Sequence, residues 1–116
     1  MAAARDSGCQ SFAMSPIRLT FSERLDLQNA MAELGVHQRS LEASGRQSQP
    51  THAPESIVAD LSGLREVDTA ALAVLLQLDR ETRRRFGKSL VIASAPRQLR
   101  ALAELTSVDR LMTWQA

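Results

Sequence analysis

The side chains in this sequence that could carry chemistry are few, and the most suggestive are Asp68 and Thr69, neighbours standing just ahead of the apolar run Ala-Ala-Leu-Ala-Val-Leu-Leu at 70–76. Oxygens at a helix start accept from first-turn N–H groups that have no partner in the helix, which stabilises it by about 1 kcal/mol. Capping alone is a complete explanation of the pair. Asp60 and Asp68 could in principle divide acid and base work, but no nucleophile, histidine or lysine is placed with them. Asp60 falls near a strand end, where an acidic phospho-receiver pocket would need further carboxylates and a lysine, and Lys88 is the only lysine. His37 and His52 have no cysteine or second histidine at ligand spacing, and both are expected to be solvated. Cys9 has no second thiol with which to form a disulfide or share a metal. The five glycines (Gly8, Gly35, Gly45, Gly63, Gly87) are too scattered for a phosphate-cradling loop. The reading is a protein without enzymatic activity, cofactor or metal.

Composition narrows the partners. At 116 residues, with 44% hydrophobic and 23% charged, the chain has the size and make-up of one domain. Fourteen basic against thirteen acidic residues leave a formal charge of +1 and no sustained basic face, and aromatics make up only 3%. Neither phosphate neutralisation nor base stacking is served, so nucleic acid is not an expected partner. The longest apolar run has seven residues, where a membrane-spanning helix needs about 20, so no direct membrane insertion is expected. The first ten residues hold no apolar core of a secretory signal, and a cytoplasmic location follows as the expectation.

The elements that must position Asp68 and Thr69 follow from periodicity. Residues 1–15 are small and polar and read as a weakly ordered tail ahead of a domain at 16–116. Ile17, Leu19 and Phe21 alternate with Arg18, Thr20 and Ser22, the pattern of a strand with one covered face. Leu27, Ala30, Met31, Leu34 and Leu41 then recur at helical spacing as one apolar stripe. Residues 43–56 (ASGRQSQPTHAPES), with two prolines and no large apolar side chain, read as a flexible loop. IVADL at 57–61 and SLVIA at 89–93 are buried-strand patterns. Between them a helix is predicted over Thr69–Phe86, ended by Gly87 and carrying Arg83, Arg84 and Arg85 against its dipole. Pro96 fits the first turn of a last helix with Leu99, Leu102, Ala103 and Leu105, after which Val108, Leu111 and Met112 close the core. Strands alternating with helices imply an α/β fold, a mixed sheet with mainly parallel central strands flanked by helices.

The helix behind Asp68 carries more apolar surface than one core-facing stripe requires. Ala71, Val74, Leu75, Leu78, Thr82 and Phe86 supply that stripe. Thr69, Leu72, Ala73, Leu76 and Arg80, at i, i+3, i+4, i+7 and i+11, form a second ridge beginning at the helix start. If the sheet covers only one side, this ridge is exposed and reads as a protein-docking face; if the first and third helices cover it, it is core. The following RETRRR at 80–85 reads as a solvated helix end.

With those residues in view, 57–112 resembles a STAS domain, the fold of anti-anti-sigma factors and of the cytoplasmic tails of sulfate transporters. The carriers are an apolar strand, Asp-Leu-Ser at 60–62, Val-Asp followed by a hydroxyl residue at 67–69, an alanine- and leucine-rich helix, and a further strand and helix. In signalling members a serine follows the aspartate and accepts phosphate; Thr69 matches it, so the resemblance makes Thr69 phospho-acceptor-like, although Ala70-Ala71-Leu72 departs from the usual Ser-Gly-Leu. The Asp-Thr form is most similar to the small STAS subunits of the bacterial phospholipid-transporting ABC complex of the Mla lipid-asymmetry system. That resemblance implies a non-catalytic subunit, peripheral at the inner membrane, that binds the cytoplasmic ABC ATPase beside its permease and supports assembly and activity. Asp68, Thr69, Leu72, Ala73 and Leu76 would then form the contact. The alternative it implies is an anti-sigma factor antagonist that binds an anti-sigma factor kinase and is released by phosphorylation of Thr69.

Overall fold

The computed structural model describes residues 16–47 and 56–115. In chain order the elements are β1 (Ile17–Thr20), β2 (Arg24–Leu25), α1 (Ala30–Gln47), β3 (Ile57–Asp60), β4 (Glu66–Val67), α2 (Thr69–Phe86), β5 (Leu90–Ala93), α3 (Arg97–Leu105), a 3-10 turn (Val108–Leu111) and β6 (Thr113–Trp114). The main sheet has the order β1-β3-β5-β6, and β2 pairs with β4 in a small second sheet. Every strand pairing among the described residues is parallel. The tail expected at 1–15 lies outside the described residues.

Each crossover in the main sheet moves one strand in the same direction, and right-handed crossovers then put all three helices on one face. Burial agrees: Leu19, Ile57, Ala59, Leu90 and Ile92 join the helices in one core, while Arg18, Val58 and Val91, aligned across three strands, point the other way. The helices therefore form a single layer, with α2 packed between α1 and α3.

Local chemistry sets the ends of α2. Asp68 caps its start, and Gly87 ends it in the left-handed region at φ 70°, its N–H donating to Arg83 O at 3.0 Å. The other helices depart from expectation. α1 continues to Gln47 instead of giving way to a loop at Ala43, because nothing between Ala43 and Gln47 stops a helix before Pro50; residues 48–55 lie outside the described residues. Its buried side is Ala30, His37 and Leu41, with Leu34 partly covered, whereas Leu27 precedes the helix and both Leu27 and Met31 stand exposed. In α3, Leu99 and Ala103 are buried but Leu105 is exposed, since six residues carry it about 240° round the helix from Leu99. Met112 closes the core with Val108 packed against it, while Leu111 is exposed.

His37 is not solvated. It is only 4% exposed, its ring lies 4.1 Å from that of Phe21, and Nε2 has no hydrogen-bond partner among the described residues. The position falls on the buried side of α1 whatever its polarity, and the ring fills it as an apolar group would. Burial pulls its pKa below the ordinary 6.5, opposed in part by the Glu33 carboxylate 3.7 Å away. The unfolded chain therefore binds this proton more readily, so His37's contribution to stability is complete above about pH 6.5 and falls as the pH drops towards the folded-state pKa. Thermal unfolding from about pH 7.5 to about pH 5.5 is expected to show a falling Tm that His37→Leu flattens; equal slopes in both proteins would contradict this account.

Candidate functional site

The start of α2 is built together with the start of α1. β2 and β4 pair Arg24 with Glu66 and Leu25 with Val67, so two segments far apart in sequence leave this short ladder side by side, each leading towards a helix. Glu23 O adds bonds from Arg65 N at 2.7 Å and Glu66 N at 3.0 Å. The turn into α1 is closed by its own side chains. Asp26 Oδ1 accepts from Gln28 N at 3.0 Å, Asn29 Oδ1 accepts from Asp26 N at 2.9 Å, and Asn29 Nδ2 donates to Arg24 O at 2.8 Å. The Arg24 guanidinium, 2.9 Å from Asp26 Oδ2, holds that carboxyl below its usual range.

Asp68 joins the two starts. Oδ1 accepts from Ala70 N at 2.8 Å, the expected cap, and Oδ2 accepts from Leu27 N at 3.0 Å, across 41 positions of sequence. Beside it Thr69, the first residue of α2, is exposed, and its hydroxyl has no hydrogen-bond partner among the described residues. Leu27 and Met31 are 79% and 78% exposed. Between the helices runs an open groove of about 540 Å³, lined on one side by Leu27, Ala30, Met31, Leu34 and Gln38 and on the other by Ala70, Ala73, Val74 and Gln77.

The ridge expected on α2 survives only in part. Thr69, Ala73 and Arg80 face outward and Leu76 is half-buried, but Leu72, at 4% exposure, belongs to the core. The reason is packing on three sides. With the sheet beneath and α1 and α3 alongside, α2 buries about half its circumference, and at about 100° per residue Leu72 falls inside that half on the same side as Asp79. The expected solvated end is also divided. Arg83, Arg84 and Arg85 are at the surface, whereas Glu81 and Thr82 are buried, Glu81 pairing with Arg84 at 2.6 Å and Arg85 at 3.4 Å. Sequence reasoning missed the β2–β4 ladder and the surface offered by Leu27 and Met31. No local signal gave the latter, since His37, which shares α1's buried side with Ala30 and Leu41, is polar by type and its burial is decided by its neighbours.

Asp60 is occupied structurally. Its carboxyl accepts from Ser62 N at 3.0 Å and pairs with Arg18 at 2.8 Å, and the Ser62 contacts, followed by Arg18, hold its pKa below the ordinary value. Among the described residues no group of three His, Cys, Asp or Glu is arranged to hold a metal ion, and no helix is long and apolar enough to cross a membrane. What the site presents is exposed apolar surface at Leu27 and Met31 and, at the first residue of α2, an exposed hydroxyl without a partner among the described residues.

A parallel sheet backed on one face by three helices, with an Asp-Thr pair opening the central helix, defines a single α/β domain of STAS type. The family model described as Mlab, STAS domain matches residues 10–113, and the chain belongs to that family. The match begins well before Ile57, ahead of the segment whose residues carry the resemblance. A search of curated proteins found no match.

The division of α2 into covered and outward residues is directly testable. Leu72→Ala is expected to destabilise the fold by about 2–5 kcal/mol in chemical denaturation, whereas Ala73→Glu, on the outward side, is expected to change it by no more than about 0.5 kcal/mol. Similar losses in both would place Ala73 in the core.

Proposed function

We propose that this chain is a non-catalytic STAS subunit that binds the cytoplasmic ATPase of a bacterial phospholipid-transporting ABC complex, with the permease in the same complex, and supports its assembly and activity. Membership of the Mlab, STAS domain family supports the Mla association. The observation that carries the docking reading is Thr69, exposed and without a hydrogen-bond partner among the described residues, next in sequence to Ala70 of an apolar groove whose opposite wall bears the exposed Leu27 and Met31. Thr69, Ala73 and Leu76 remain in the proposed contact region, next to Asp68 at the start of α2; Leu72 supports it from within. The chain stays at the membrane surface through its partner, and phospholipid asymmetry of the outer membrane is the process it serves.

Magnitudes rank the contributions. Covering Leu27 and Met31 would contribute about 3–6 kcal/mol before the cost of association, against about 1 kcal/mol for one neutral hydrogen bond from Thr69. A carboxylate at Thr69 is compatible with the positive end of the α2 dipole, so the fold tolerates it, but closing an interface over it requires removing its water.

Affinity capture of the cognate ATPase tests this. Thr69→Ala is expected to weaken capture by about fivefold, Leu27→Ala with Met31→Ala by at least about thirtyfold, and Thr69→Glu to abolish it while the Tm stays near wild type. Wild-type capture by Thr69→Glu would overturn the proposal. Phosphate on Thr69 after incubation with a cognate anti-sigma factor kinase, without ATPase capture, would support the signalling alternative.

A further inference from the structure

We infer that Asp68 is a positioning residue of the docking surface, fixing Leu27 against Thr69, and does not itself touch the partner; this rests on the docking role proposed above. Both carboxylate oxygens are engaged inside the chain, one by Ala70 N at 2.8 Å and the other by Leu27 N at 3.0 Å. The first bond completes the cap of α2, for which serine or asparagine would serve as well. The second is a requirement that capping does not impose. It needs an acceptor aimed away from the helix, at the amide of the residue whose side chain is 79% exposed.

The surroundings show what this second bond governs. The β2–β4 ladder ends at the pairs Arg24 with Glu66 and Leu25 with Val67, so the chain beyond Leu25 has left backbone pairing when it reaches the groove. Asp26, Asn29 and Arg24 shape the turn from within, but they bond to one another and leave its distance from α2 open. Among the described residues, Asp68 Oδ2 to Leu27 N is the hydrogen bond between this turn and the start of α2. It sets the separation between the apolar wall at Leu27 and the hydroxyl at Thr69, and a partner reading both at once depends on that separation. Binding to a surface already ordered avoids the cost of ordering it on association.

Asp68→Asn keeps a capping oxygen but turns an amide donor towards the Leu27 donor, and Asp68→Ser keeps the cap with no second acceptor. In either variant the Leu27 amide is expected to exchange at least about tenfold faster by NMR, with the Ala70 amide within about threefold of wild type and ATPase capture weakened about tenfold. In a Leu27→Ala background the same change at Asp68 is expected to cost no further affinity, because the two act as a unit. Unchanged Leu27 exchange in both variants overturns the inference. So does additive loss with Leu27→Ala, which would make Asp68 a partner contact in its own right. Failure of the wild-type chain to capture the ATPase would refute the docking role, while the exchange rates would still decide whether Asp68 holds the turn.

Discussion

The Asp68 carboxylate gives one oxygen to the first turn of α2 and the other to the backbone of the turn ahead of α1, and the outward surface takes its shape from that division. The arrangement works because the β2–β4 ladder has already brought the two segments side by side in register, leaving the side chain only a short gap to bridge. A neutral cap would satisfy the helix equally well. The carboxylate's further acceptor capacity converts a local feature of one helix into a tie between two, and with it Thr69 and Leu27 share one frame.

Packing around α2 sets the rest. A helix pressed by a sheet and two neighbours buries about half its circumference, which explains two apolar turns without an exposed apolar ridge. It also explains why polar groups enter the covered half and find partners there. Thr82 Oγ1 donates to Asp79 O at 2.9 Å, while Asp79 Oδ1 accepts from Leu90 N at 2.9 Å and so ties the helix to the strand that follows it. Glu81 collects Arg84, Arg85 and, at 3.4 Å, the amides of Gln38 and Gln77, joining the far end of α2 to α1. These partners are what make a buried carboxylate tolerable, since its unpaired burial would be costly.

The proposed function draws on what this packing leaves uncovered. The groove between α1 and α2 is open because Ala70 and Ala73 on α2 are too small to fill the space facing Leu27 and Met31. Small side chains line one wall and long flexible ones the other, a surface open enough for the proposed partner to enter. In the docking role proposed for this STAS domain, Thr69 is the residue where added charge would most disturb a closed contact.

Much of the architecture was legible in the sequence. The alternation from Ile17 to Phe21, the apolar runs at 57–61 and 89–93, and the span of α2 with its Asp68 cap and Gly87 terminator all rest on local periodicity and end chemistry, which neighbouring elements did not override. Asp68 and Thr69 could be singled out for the same reason. Tertiary structure alone decided that Leu72 is core, that Leu27 and Met31 are surface and that His37 is buried, because periodicity tells which sides of a helix are apolar but not how many of them neighbours will cover. The second oxygen of Asp68 belongs to that category as well: its partner is an amide 41 positions away, and no local pattern encodes a bond whose two ends meet only after the chain has folded.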